Sequence, residues 1–341
     1  MRASPRPQLG LFLLVLAVLA PSAHAERAYS TNEDDGTVTV IDADRGAAIA
    51  TVAVGKRPRG LALSPDGKLL YVAVSGLPKC PPPMTDADCA KLERDGTADG
   101  IAVVDTTTLT HTRTIGGVSD PERVAVSRDG RQLFVSEEDS ARLAVLDAAR
   151  GRVLTTVPVG REPEGVRLSP NGRWVLVTSE EDNRVTVVDA KSHAVLAQAT
   201  VGQRPRDLAF SADSRFAYVA GEADASLYRL TLPDAGGVTE ILKFRREVRP
   251  MGLALDASRG RLYIGTGRAG TVAVVDLSGP SLVTEIACGG RPWGVALGAG
   301  GRRLFSPDGP SGDVAIVDTA SAAVTVKVPV GKGPWAVVAG P

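Results

Sequence analysis

Short runs of Val, Ile, Leu and Ala, bounded by Gly, Pro, Asp or Asn, recur along almost the whole chain. They are strand-length, and the units that contain them lack the 3.6-residue period of an amphipathic helix. One type of run ends in Asp: Val38 to Asp42, Ala102 to Asp105, Leu143 to Asp147, Val185 to Asp189, Val272 to Asp276 and Val314 to Asp318. Leu227 to Thr231 fills the same slot, with Thr replacing Asp. A proline precedes another type of run at Pro58, Pro121, Pro163, Pro205, Pro250, Pro292 and Pro334, at spacings of 63, 42, 42, 45, 42 and 42. Both markers count seven, so the chain is a repeat protein with a unit of 42 residues.

One unit reads as four strands. Gly60 to Leu63 is followed by the turn Ser64-Pro65-Asp66-Gly67, the return strand Leu69 to Val74, the Asp-ended strand and a fourth strand such as Val153 to Val159. The turn recurs as Ser127-Arg128-Asp129-Gly130 and Ser169-Pro170-Asn171-Gly172, with the Asp/Asn-Gly pair of a tight hairpin. Four short strands in 42 residues is the spacing of a propeller blade. The pattern predicts an all-β, single seven-bladed β-propeller of four-stranded blades over residues 26–341. The run Trp335 to Ala339 supplies only a first strand and residues 27–54 only the other three, so the ring is expected to close by N- and C-terminal strands sharing one blade. The long spacing is one unit plus an insertion at 77–100, which a loop accommodates at little cost.

Composition narrows the function classes. The chain has 341 residues with 39 Lys+Arg against 39 Asp+Glu, a balance that excludes nucleic acid as the main partner. Residues 1–25 carry Arg2 and Arg6, ten apolar residues from Leu11 to Ala20, then Ala23-His24-Ala25, which reads as a signal peptide cleaved after Ala25. Cleavage would leave 37 basic and 39 acidic residues and a periplasmic or secreted protein with no membrane attachment. Export makes a local disulfide between Cys80 and Cys89 the expected use of that pair. Cys288 reads as a small buried apolar residue.

Units running from Pro-x-Gly-(Leu/Val)-Ala through Pro-Asp-Gly to Val-Val-Asp resemble the YVTN family of β-propeller repeats, with Tyr71-Val72 and Tyr218-Val219 keeping the first half of the signature. The series Lys56-Arg57-Pro58-Arg59-Gly60, Asp120-Pro121-Glu122, Glu162-Pro163-Glu164-Gly165, Gln203-Arg204-Pro205-Arg206 and Pro334-Trp335 is similar to exported propellers associated with pyrroloquinoline quinone (PQQ)-dependent catabolism. That resemblance implies a non-catalytic binding protein. Its partner would be a quinoprotein dehydrogenase or c-type cytochrome, with PQQ itself a conceivable ligand. It brings no catalytic residue with it.

In a propeller the loops entering the innermost strands ring one channel mouth. The residue after each anchor proline is Arg59, Glu122, Glu164, Arg206, Met251, Trp293 and Trp335, charged on four consecutive blades and apolar or aromatic on three. Such a ring suits an anionic planar ligand or a protein partner. The loops after the second strands add Glu33, Glu137, Glu180 and Glu222 as an acidic rim. These either offset the arginines or face a basic partner such as a cytochrome; a calcium loop lacks its alternating Asp spacing. The strand-ending aspartates read as turn-satisfying groups.

After residue 25 only His111 and His193 remain, and no Cys-x-x-Cys-His, histidine cluster or Gly-x-Ser-x-Gly elbow occurs. The alternative class is a lactonase-type hydrolase. It would use Glu164 or Glu122 with Arg59 or Arg206, and it would lack a histidine base.

Overall fold

The computed structural model describes residues 26–80, 84–89 and 91–340, so the signal-peptide reading of 1–25 lies outside the described residues. Seven sheets of four antiparallel strands form a ring, each sheet running from an innermost strand outward in chain order, except one. In that blade the innermost strand, Pro334–Gly340, pairs with Arg27–Asn32, followed outward by Thr37–Asp42 and Ala47–Ala53. Tyr29 lies opposite Val338 and Ser30 opposite Val337, so the chain's two ends are zipped into one sheet. The structure is mostly β, with almost no helix, and it is the seven-bladed propeller that the 42-residue period predicts. No helix among the described residues is long and apolar enough to cross a membrane.

The two middle strands of a blade are buried on both faces, which is why they read as near-continuous apolar runs. Leu70, Val72 and Val74 pack toward the blade that closes the ring, while Tyr71 and Ala73 pack toward the next blade, against Leu133, Val135 and Leu146. Among the described residues there are seven such apolar clusters, one in each interface between blades. The outermost strands face water and alternate, as in Arg152–Pro158.

The repeated polar residues hold turns. Asp42, Asp105, Asp147, Asp189 and Asp318 each accept hydrogen bonds from two backbone N–H groups of the following turn. In the inner hairpin, Ser64 Oγ donates to Asp66 at 2.6 Å and accepts from the Leu69 N–H at 2.9 Å. Gly67 follows with φ of 70°, a backbone that favours glycine. Ser127, Ser169 and Ser211 repeat the arrangement.

The insertion is tied down rather than splayed. Cys80 and Cys89 are disulfide-bonded, with Cα atoms 5.4 Å apart, and Cys288 is free and buried. Lys56 Nζ reaches Asp95 at 2.7 Å, and Arg94 bridges Asp99 at 2.6 Å and Ser119 at 2.9 Å. These contacts hold the end of the insertion, and Lys79, paired with Glu33 and Asp34, holds its start against the channel mouth.

Candidate functional site

A cavity of about 480 Å³ opens at the channel mouth where the anchor prolines enter the innermost strands. Arg59, Glu122, Glu164, Arg206, Trp293 and Trp335 all line it. Met251, in the equivalent place, does not: it is buried, with its N–H donating to the Gly265 carbonyl at 2.8 Å. The insertion adds Lys79 and Cys80 to the wall.

The arginines are engaged by the protein's own carboxylates. Arg59 Nη1 donates to Glu138 Oε2 at 2.6 Å, Nη2 lies 3.4 Å from Asp120 Oδ1, and Glu122 contacts the same guanidinium. Arg206 Nε donates to Glu222 Oε2 at 2.7 Å, Nη1 lies 2.5 Å from Glu180, and Glu164 is also in contact. Arg204 pairs with both Glu180 and Glu222. Arg57 and Lys79 share Glu33, at 3.1 and 2.7 Å, and Lys79 also reaches Asp34 at 2.6 Å. Of the acidic rim, Glu33, Glu180 and Glu222 therefore join the arginine network. Glu137 turns away, accepting from the Ser119 N–H at 3.0 Å and pairing with Arg142 at 3.2 Å.

Strand pairing explains that exception. Glu137 is opposite Arg142 in the way that Ser179 is opposite Arg184 and Gly221 opposite Ser226, so the counterpart of Glu33, Glu180 and Glu222 is Glu138. The two Ser-Glu-Glu-Asp segments look alike but sit one residue apart in register. A signal for this exists in the chain: Ser75, Glu138, Glu180 and Glu222 all lie eleven residues after the turn serine of their unit.

Burial and charge compete in this cluster. Burial pushes the Glu138 carboxyl up, opposed by the Arg59 charge and reinforced by Glu164 and Asp120. Burial also raises Glu180, against the pull of Arg206 and with the push of Glu164. For Arg59, burial works against the cation, but Glu138 and Asp120 overcome it and hold the guanidinium charged.

The opposite wall is built differently. Trp293 and Trp335 lie with ring centroids 5.9 Å apart and planes tilted by 33°. The Arg291 guanidinium sits 4.5 Å over the Trp293 ring and makes no ion pair among the described residues. Burial, with Arg268 nearby, lowers its pKa from the ordinary arginine value. Five acidic and five basic side chains line the cavity, so the mouth is neutral overall. It is nevertheless segregated: one wall is a closed carboxylate–guanidinium network, the other an aromatic pair with a spare cation. Sequence reasoning finds the tryptophans through the anchor prolines, and it misses Glu138, Asp120, Arg57 and Arg291. Arg57, Asp120 and Arg291 each stand one residue before an anchor proline.

No protein-family model matches the chain, and no curated protein matches it. Solved structures do, at sequence identities that show the fold alone. A putative 6-phosphogluconolactonase from Bacteroides fragilis superposes with a TM-score of 0.73 at 16% identity, over 94% of this chain and 100% of that one. Hydrazine synthase of Kuenenia stuttgartiensis gives 0.72 at 19%, over 86% and 92%. The dihydro-heme d1 dehydrogenase NirN, in complex with DHE, gives 0.63 at 17%, over 89% and 63%. All are similar to this chain in carrying a ring of the same kind.

Proposed function

We propose that this is a non-catalytic, exported binding propeller of the YVTN-repeat type that serves a PQQ-dependent (quinoprotein) alcohol oxidation system. It takes a planar organic anion in its channel mouth. The ligand is PQQ or a chemically similar ring carboxylate, and the protein partner is a quinoprotein dehydrogenase or a c-type cytochrome. The observation that carries the reading is the wall of Trp293, Trp335 and Arg291: two adjacent aromatic rings with a cation that makes no ion pair among the described residues. Arg59 and Arg206, each paired with several carboxylates, hold the rim in place rather than receive the ligand.

Titration of the purified protein with PQQ, read by tryptophan fluorescence and calorimetry, tests this. Saturable binding is expected, weakened about tenfold or more by Trp293→Ala or Arg291→Ala. No saturable binding, together with no retention of a quinoprotein dehydrogenase or cytochrome on immobilised protein, would overturn it.

One observation favours a second reading, a lactonase-type hydrolase. Glu138 sits beside Arg59 with its carboxyl pushed up by burial, as suits a general base near neutral pH. Arg59 also holds Glu122, and Arg206 holds Glu164, so each of these carboxylates is bound to a guanidinium as Glu138 is; the upward push on its carboxyl is what singles Glu138 out. The 6-phosphogluconolactonase likeness is one of fold only and adds no residue to the argument. Lactone hydrolysis that is lost in Glu138→Gln or Glu164→Ala would replace the binding reading.

A further inference from the structure

The position two residues after the anchor proline is glycine in four blades: Gly60, Gly165, Gly252 and Gly294. There the innermost strands crowd together: a Cβ on Gly60 would meet Arg123 Cα at 2.7 Å, and one on Gly252 would meet Gly294 Cα at 2.9 Å. Ala336 takes the place in the blade that closes the ring. The remaining two blades put Arg123 and Asp207 there. Two positions further on, six blades carry Ala or Val and one carries Arg167. Three charged residues thus break the small-residue rule of the repeat, all of them on strands lining the channel.

They meet below the mouth. Arg167 holds Asp207 with two hydrogen bonds, 3.0 Å from Nε and 2.7 Å from Nη2. Asp207 also accepts from the Leu208 N–H at 2.8 Å and the Leu253 N–H at 3.4 Å, so its oxygens are occupied. Arg123 Nη1 reaches the same Asp207 Oδ2 only at 3.6 Å. Its guanidinium donates no hydrogen bond to any described residue, and its Nε is buried without a partner. One face lies 4.9 Å from the Trp335 ring. A mostly buried guanidinium with its donors unmet is costly unless an acceptor is supplied. Burial lowers its pKa, an effect that Asp207 only partly offsets.

Around these groups is a second cavity of about 350 Å³, walled by aliphatic side chains including Leu61, Leu168, Leu253 and Val295. Two arginines against one aspartate leave a single positive charge. Planar guanidinium donors match a carboxylate, and the aliphatic walls match a short hydrocarbon tail. We infer that the central channel is a second binding site, for a small aliphatic monocarboxylate held by Arg123 and Arg167 beneath Trp335. It is independent of the ligand in the mouth: the two cavities have no lining residue in common, and Trp335, which lines the mouth, stacks on Arg123 between them.

Calorimetric titration with sodium butyrate, butyramide and sodium bromide tests the site. Butyrate is expected to bind saturably, at least tenfold more tightly than the equally shaped neutral amide or the halide. Arg123→Leu, which leaves the Arg167–Asp207 pair in place, should lose that binding by tenfold or more, and Trp293→Ala should keep it. Absence of saturable butyrate binding, equal binding of butyramide or bromide, or butyrate binding retained in a folded Arg123→Leu protein would each overturn the assignment. Should Arg123→Leu fail to fold, the butyrate–butyramide comparison on the unaltered chain decides. Retention of butyrate binding in Trp293→Ala separates this site from failure of the PQQ reading.

Discussion

Glu162 has φ of 48°, in the left-handed region, immediately before an anchor proline, and Arg57, Asp120 and Arg204 share that conformation at 41°, 42° and 54°. The seventh blade has Gly333 in the same place. A side chain there costs about 1 kcal/mol over glycine in the folded state, part of which the flexibility of glycine in the unfolded chain returns. Glu162 makes no ion pair among the described residues, so Glu162→Gly is expected to stabilise the ring by roughly 0.5 kcal/mol. Equilibrium urea unfolding checks it, and a clear loss of stability would show that the strain reading is mistaken. Glu138 and Glu180 set a pH dependence. Burial raises both above the ordinary glutamate value of 4.5, so from 4.5 upward the folded chain holds protons that the unfolded chain releases. Stability should therefore fall as pH rises through their folded values. The turn aspartates act oppositely: hydrogen bonds, from Ser64 to Asp66 first, hold them below 3.8, and their contribution is lost in acid. Melting temperatures between pH 5 and 9 should decline in the native protein and decline less in Glu138→Gln or Glu180→Gln.

At the scale of elements, what was legible depended on whether neighbours within one blade decide the outcome. The turn serines, the Asp/Asn-Gly pairs and the strand-ending aspartates satisfy backbone groups a few residues away, so their roles follow from spacing alone. The Ser-Glu-Glu-Asp segments follow strand register instead, and register is set by pairing across the sheet. That is why composition singles out Glu137 while the ladder presents Glu138 to Arg59. The insertion shows the same division. Its cysteines are close in sequence and pair locally. That Lys79 would reach across to Glu33 and Asp34, on the blade that closes the ring, depends on the way the ring brings residues 33 and 79 together.

At the scale of the whole molecule, the seven apolar clusters each need two blades, so no blade buries its faces alone. The strand Pro334–Gly340 is the innermost of the closing blade and packs against strands of both neighbouring blades. Ending the chain after Gly333 would expose the hydrogen-bonding edge of Arg27–Asn32, and it would strip cover from Tyr29, Val38 and Leu70. Lower thermal stability and concentration-dependent association are expected, measurable by light scattering alongside the melting curve; a monomer as stable as the full chain would contradict the closure argument. The 42-residue period, the strand count, the hairpin chemistry and the splicing of the two ends were determined by the sequence itself, because they rest on local pattern and on arithmetic along one dimension. Tertiary structure alone decided which carboxylates neutralise Arg59 and Arg206, which cation on the tryptophan wall stays unpaired, and that Arg123, Arg167 and Asp207 converge in the channel. Such contacts join residues from different blades, and their distances exist only once the ring has closed.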